Sequence, residues 1–98
     1  MSEIARTIYA RLGGRRFESM TGAKAFVSGG FDLTFRFPKA KAGINGIRIE
    51  LTPDDLYRVS FFRMRGEKCT CVVVFDGVFC DGLENLFETV TGLKTRMF

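Results

Sequence analysis

Histidine and tryptophan are both absent from this chain of 98 residues. Without histidine there is no Ser-His or Cys-His nucleophile pair, no HExxH zinc motif and no imidazole base working near neutral pH. A phosphate-binding loop is missing as well, because Thr21-Gly22-Ala23-Lys24 lacks the adjacent Gly-Lys pair and the earlier glycine of the Walker pattern. These absences exclude the enzyme classes that carry such motifs. We expect no enzymatic activity, no catalytic residue and no cofactor.

Long apolar runs are missing too. The longest, Cys71 to Phe75, is far shorter than the roughly 18 residues that a membrane-spanning helix requires, and the first residues show no signal-peptide pattern. Three cysteines make a poor disulfide framework and suit a reducing compartment. The sequence therefore predicts a soluble cytoplasmic protein that does not enter a membrane.

Cys69, Cys71 and Cys80 are predicted to be thiols of the protein core. The alternative is a zinc site that uses these three side chains as ligands. Such a site would need a carboxylate as its fourth ligand, because the chain has no histidine. The prediction is therefore that no metal is bound.

The composition is that of an ordinary globular protein, with 46% hydrophobic and 27% charged residues. A chain of this length fits a single domain, residues 1–98, because two halves of about 50 residues would each be only marginally stable. The eleven phenylalanines outnumber all other aromatic residues. We therefore expect one domain with a phenylalanine-rich core.

A helix is predicted at each end of the chain. Ser2 can cap an N-terminal helix in which Ile4, Ile8 and Leu12 recur every four residues, and Gly13-Gly14 ends it. The C-terminal helix is predicted to begin with a capping box of Asp81 and Glu84 and to end at Gly92. Its buried face should comprise Leu83, Leu86, Phe87 and Val90.

Between the helices, alternating apolar and polar residues predict β-strands. The predicted strands run from 16 to 20, from 31 to 37, from 47 to 51, from 57 to 65 and from 68 to 76. Residues 16–20 form the weakest of these patterns, and Phe31, Phe35 and Phe37 are expected in the core. No element is predicted with any clarity for residues 20–30. The predicted fold is α+β: an antiparallel meander sheet of four to five strands flanked by a helix at each terminus.

The turn at 52–55 sets a register between two of these strands. Pairing Leu51 with Tyr57 places Ile49 opposite Val59 and Ile47 opposite Phe61 on the core face, and Glu50 opposite Arg58 on the other face. This register satisfies both faces at once.

Charge placement is the main pointer to function. The formal net charge is +4 and the pI is about 9.3. In a meander, the start of the first strand, the 38–46 loop and the 65–68 turn lie at one end of the sheet. The cations predicted there are Arg15, Arg16, Lys39, Lys41, Arg63, Arg65 and Lys68. The opposite end is predicted to collect Asp32, Asp54, Asp55, Asp76 and Asp81.

The predicted basic end could bind phosphates or a carboxylate-rich protein surface. The alternative is that these cations are ordinary solvating surface charges, gathered by chance. Both interpretations depend on the meander topology.

Several short motifs resemble a family of small uncharacterised proteins encoded by phages, prophages and other mobile elements. They are Leu12-Gly13-Gly14, Phe17, Met20-Thr21-Gly22-Ala23-Lys24, Phe26, Leu33-Thr34-Phe35, Pro38, Gly43-Ile44-Asn45, Asp55-Leu56-Tyr57, Arg65-Gly66 and Thr91-Gly92-Leu93. The resemblance extends from Leu12 to Leu93, and it implies a phage-type accessory protein in a bacterial cytoplasm. It assigns no role to individual residues.

Two functional hypotheses follow. In the first, the chain binds and obstructs a host protein complex, such as a CRISPR effector or another defence system. In the second, it is an accessory protein that binds nucleic acid through the basic end. A homodimer formed through an edge strand of the sheet is a further possibility under either hypothesis.

Overall fold

The structure is a computed structural model that describes residues 2–93, and it has the predicted α+β architecture. The helices are α1 (Glu3–Leu12), α2 (Arg15–Thr21) and α3 (Leu83–Thr91), and the strands are β1 (Lys24–Ser28), β2 (Asp32–Arg36), β3 (Gly46–Leu51), β4 (Tyr57–Arg65) and β5 (Lys68–Val78). The strand order is β1-β2-β3-β4-β5, and each strand is antiparallel to the next. The predicted meander between two terminal helices is therefore confirmed.

Helix α1 forms for the reasons that its sequence indicates. The Ser2 hydroxyl accepts a hydrogen bond of 3.1 Å from the Ala5 backbone N–H, which caps the first turn. Ala5, Ile8 and Leu12 are completely buried, and the helix ends at Gly13. One apolar stripe therefore fixes how α1 packs on the sheet.

The predicted strand at 16–20 is wrong, because this segment lies within helix α2. Phe17 and Thr21 are buried one helical turn apart, and the Thr21 hydroxyl donates a hydrogen bond of 2.7 Å to the Phe17 carbonyl. Gly22, with φ +74°, ends the helix in the left-handed region. The first strand of the sheet is instead β1, in the segment where the sequence predicted no clear element.

The predicted pairing of β3 with β4 is confirmed residue by residue. Leu51 lies opposite Tyr57, Glu50 opposite Arg58, Ile49 opposite Val59 and Ile47 opposite Phe61. Ile47, Ile49, Val59 and Phe61 are all at most 1% exposed. The hydrophobic alternation therefore determines the register and the buried face together.

All three helices contribute to a core on one face of the sheet, which we call the inner face. Phe35 of β2 lies at its centre, with Phe17 of α2 at 5.5 Å and Phe87 of α3 at 6.4 Å between ring centroids. Phe26 of β1 stacks on the same ring at 4.9 Å. The phenylalanine-rich core is thus confirmed, except that Phe31 precedes β2 and is 66% exposed.

Helix α3 begins differently from the prediction. Its N-cap is Gly82, with no side-chain cap, and Asp81 lies in a short 3-10 turn, Cys80–Gly82, so the predicted capping box is wrong. Leu83 and Phe87 are buried, and Gly92 ends the helix with φ +76°. Leu86 and Val90 of the predicted face are only partly buried against the core. The predicted C-terminus is right, while the predicted capping residues are not.

Candidate binding surface at one end of the sheet

The alternating strand directions bring three segments to one end of the sheet. These are the start of β1, the end of β2 with the loop that follows it (residues 36–45) and the β4–β5 hairpin, and we call this region the basic end. Its cations are Lys24, Arg36, Lys39, Lys41, Arg63, Arg65 and Lys68. The sequence predicted all of these at this end except Lys24 and Arg36.

The loop of the basic end is held against β4 by two side chains. Arg63 donates from Nε at 3.2 Å and from Nη2 at 2.9 Å to the Ala42 carbonyl. The Asn45 side chain accepts from the Met64 N–H at 2.8 Å and donates to the Met64 carbonyl at 2.9 Å. The lysines of the loop are therefore presented on a fixed backbone.

Cationic side chains of the basic end lie close to the backbone at two glycines, Gly43 and Gly92. A Cβ atom built on Gly43 would lie 3.1 Å from Nε of Arg63 and 3.6 Å from Cε of Lys39. One built on Gly92 would lie 2.9 Å from Cε of Lys41. Lys39 and Arg63 thus flank Gly43, while Lys41 crosses the end of α3, where the partial negative charge of the helix terminus favours a cation.

The cations of the basic end are not neutralised by carboxylates of the described chain. Within residues 2–93, the ion pairs involve Arg16, Arg48 and Arg58, none of which belongs to the basic end. Glu67 is the one acidic residue in the hairpin from Arg63 to Lys68. A cluster of cations that form no ion pair within residues 2–93 creates a positive potential that attracts anions.

Arg15 and Arg16 do not lie at the basic end, so their predicted position is wrong. They start helix α2, and Nη2 of Arg16 lies 3.0 Å from Oε2 of Glu84 in the first turn of α3. Helix α3 follows the final residues of β5, at the opposite end of the sheet. The error arises because the prediction treated this segment as a strand.

The opposite end, which we call the far end, comprises the β1–β2 and β3–β4 turns and the segment after β5. Beside it, a charge ladder crosses four strands on the outer face of the sheet. Its members are Asp32, Arg48, Glu50, Arg58 and Asp76. Its shortest contacts are Arg48 to Asp32 at 2.7 Å and Arg58 to Asp76 at 2.6 Å. The hydrogen bond and charge of Asp76 raise the pKa of Arg58 above its ordinary value.

The two ends therefore use their charges differently. Asp32 and Asp76 were predicted as part of an acidic end, but arginines on neighbouring strands neutralise them. Asp54, Asp55 and Asp81 are exposed at the far end. The sequence predicted Glu50 opposite Arg58 on the outer face, and these side chains lie 3.7 Å apart, but it did not indicate arginine partners for Asp32 and Asp76.

The outer face next to the basic end is mixed in character. Arg36, Gly46, Phe62 and Cys71 lie side by side on neighbouring strands. A Cβ on Gly46 would lie only 2.9 Å from Cε of Met64, so the glycine makes room for that side chain. Phe62 is half-buried, which leaves little of its ring free for stacking on a base.

The cysteine prediction is wrong for the two residues in β5. Cys69 and Cys71 are exposed near the start of β5, while Cys80 is partly buried beyond its other end. Cys80 is thus separated from the other two cysteines by most of the length of the strand, and no group of three or more metal-binding side chains occurs among residues 2–93. The zinc alternative has no structural support in this part of the chain.

No protein-family model matches the chain, and neither the curated proteins nor the solved structures contain a match to it. Within residues 2–93, no helix has both the length and the apolar character needed to cross a membrane.

Proposed function

We propose that this chain is a non-enzymatic accessory protein that binds the phosphate backbone of a nucleic acid through its basic end. The observation that supports this function is the convergence of seven cations from three chain segments, without ion pairs to the carboxylates of residues 2–93. Phosphate contacts by Lys and Arg supply most of the affinity in binding of this kind.

The shape of the basic end favours backbone contacts over base recognition. It consists of a loop and a tight hairpin, whereas the helices lie on the inner face with their apolar sides buried. No helix of the described chain projects from this end into a groove, as direct readout of bases usually requires. We therefore expect little dependence on nucleotide sequence.

A salt titration with a DNA or RNA oligonucleotide tests the proposal. If four to six phosphates are contacted, affinity should fall roughly 10²- to 10³-fold between about 50 and about 200 mM salt. Replacing Lys39, Lys41, Arg65 and Lys68 together with Ala should reduce the slope of log K against log salt by about 3 to 4. Arg63 is kept because it holds the loop.

The matched control is Arg6→Ala with Arg11→Ala. Both arginines are exposed on α1, outside the basic end, so their removal lowers the net charge without altering the proposed surface. The control should retain the slope of the unaltered protein. Absence of binding at low salt, or an equal loss per charge in both variants, would contradict the proposal.

A second candidate function is binding to a host protein complex, as a phage-type inhibitor of a bacterial defence system such as a CRISPR effector. Two exposed aromatic side chains at the far end favour it: Phe31 is 66% exposed and Phe79 is 67% exposed. Exposed aromatic residues are typical anchors of protein interfaces. The resemblance to proteins of mobile elements supports the same idea.

One double variant distinguishes the two candidates, because it removes the exposed aromatic side chains and leaves the basic end intact. If the chain inhibits a purified defence complex, Phe31→Ala with Phe79→Ala should abolish inhibition while oligonucleotide binding persists. Inhibition that survives the aromatic double variant, or that is absent for the unaltered chain, would count against the second candidate.

A further inference from the structure

Strand β5 is an edge of the sheet and is unusually unprotected. It has eleven residues, Lys68 to Val78, and within residues 2–93 no strand pairs with its outer side. Seven consecutive residues, 69–75, carry no charge, and Val74 is 45% exposed. The outer N–H and C=O groups of such a strand are free to pair with another chain.

The other edge of the sheet shows the protection that β5 lacks. Strand β1 has only five residues, and its pairing with β2 is interrupted by an irregularity between Lys24 and Val27. The pairing of β5 with β4 is irregular at two places, so such irregularities do not distinguish the two edges. Short length is among the usual means by which edge strands avoid unwanted pairing, and β1 has less than half as many residues as β5. Of the two edges, β5 is therefore the one suited to a partner strand.

The charges on β5 fit a second copy of the same strand. Lys68 and Asp76 bracket the uncharged segment. An antiparallel pair of β5 strands brings the strand end that carries Lys68 beside the strand end that carries Asp76 in the other copy, whereas a parallel pair would bring like-charged ends together. On a larger scale, the same arrangement sets each basic end beside the far end of the other copy.

We propose that β5 pairs antiparallel with β5 of a second copy of this chain, which joins the two five-stranded sheets into one continuous sheet. A two-fold axis relates the copies, so the contact closes on itself and forms a dimer. Pairing β5 with β1 of another copy would leave further edges open and build a fibre instead.

The orientation of the side chains selects the register of this pair. In a regular strand, residues three apart face opposite sides of the sheet. Here Cys71 lies opposite Phe62 and Val74 lies opposite Ser60, and both face outward because a register irregularity lies between them. Directly opposed residues of paired strands share a face. The register that satisfies this condition places Cys71 of one copy opposite Val74 of the other, and Cys69 opposite Asp76.

Sedimentation velocity across a concentration series tests the dimer. The unaltered chain should sediment as a dimer at the higher concentrations, and Val74→Lys should sediment as a monomer because a lysine enters the centre of the pair. Val27→Lys is the matched control: Val27 is an exposed valine on the other edge strand, 64% exposed, and its replacement should leave the dimer intact. Circular dichroism of both variants establishes that they remain folded.

Disulfide trapping tests the register separately. In Val74→Cys, mild oxidation with diamide should link the new thiol to Cys71 of the second copy and give a covalent dimer on non-reducing gels. The unaltered chain and Val27→Cys should remain unlinked at the same protein concentration. A monomeric unaltered chain, a dimer that persists in Val74→Lys, or equal linking in the two cysteine variants would overturn the proposal.

Discussion

Beside the far end of the sheet, arginines and carboxylates alternate across neighbouring strands, whereas at the basic end seven cations surround a single carboxylate of the hairpin, Glu67. Arg48 lies 2.7 Å from Asp32, and Arg58 lies 2.6 Å from Asp76. At the basic end, Arg63 instead binds a backbone carbonyl, which fixes the loop. Charged side chains that form ion pairs with one another have few hydrogen-bonding groups left to contact a binding partner. Cations that bind backbone or water can still contact an anion. The candidate surface is therefore the end whose cations form no ion pair with the carboxylates of residues 2–93.

The largest expected effect on this contrast comes from Asn45→Ala. Asn45 bonds both the N–H and the C=O of Met64, and losing both bonds leaves partly buried backbone groups unpaired. We expect a loss of about 1 to 3 kcal/mol in the free energy of unfolding, measured by urea denaturation. Oligonucleotide affinity should also fall, because the loop that presents Lys39 and Lys41 loosens. An unchanged unfolding midpoint would show that the loop is held in another way.

Arg63→Ala should have the next largest effect. The Ala42 carbonyl loses two N–H donors, and we expect a loss of about 1 kcal/mol in stability. Arg63→Lys serves as the comparison, because it keeps the charge but not the paired donors. If lysine fully restores both stability and oligonucleotide binding, the charge of Arg63 matters and its hydrogen bonds do not.

A smaller effect is expected from Arg48→Gln in the charge ladder. Because exposed ion pairs contribute little, the loss should be at most about 1 kcal/mol, and it should shrink as salt is added. Oligonucleotide binding should not change beyond the effect of one unit of net charge. A stability loss that does not depend on salt would show that the ladder acts through packing.

The smallest effect concerns alkaline pH. Burial raises the pKa of Tyr57, at the far-end start of β4, above its ordinary value of 10.0. The folded state thus favours the neutral phenol, so this contribution to stability is fully present below pH 10 and is lost as pH rises through the folded pKa. Urea midpoints for the unaltered chain should fall relative to those for Tyr57→Phe above about pH 10. Parallel curves for the two proteins would contradict this assignment.

The parts of the fold that follow from the sequence are those with strong local periodicity. Ile47, Ile49 and Leu51 alternate without interruption up to a turn with Pro and Asp, and a slip of one residue would expose all three. Only one pairing with β4 is then possible. Helix α1 is equally determined, because its cap at Ser2 and its stripe of apolar residues agree.

The errors fall where a pattern is too short or where long-range information is needed. Residues 16–20 are too few to distinguish a period of two from a period of four, and only the packing of Phe17 on Phe35 decides for a helix. The exposure of Cys71 depends on β5 being an edge, which no local pattern records. The basic end was predicted for the lysines of the 38–46 loop, since that part of the topology was right.

The neighbour-to-neighbour strand order bears on how quickly the chain can fold. Every strand pairs with the next one in sequence, so each hairpin closes a short loop at little entropic cost. Domains dominated by such local contacts fold faster than those that need distant strands to meet. The helix–helix contact with the greatest sequence separation is that between α1 and α3, which lie near opposite ends of the described chain. We therefore expect the β2–β3–β4 region to form first, with the docking of α1 on α3 completing the native state.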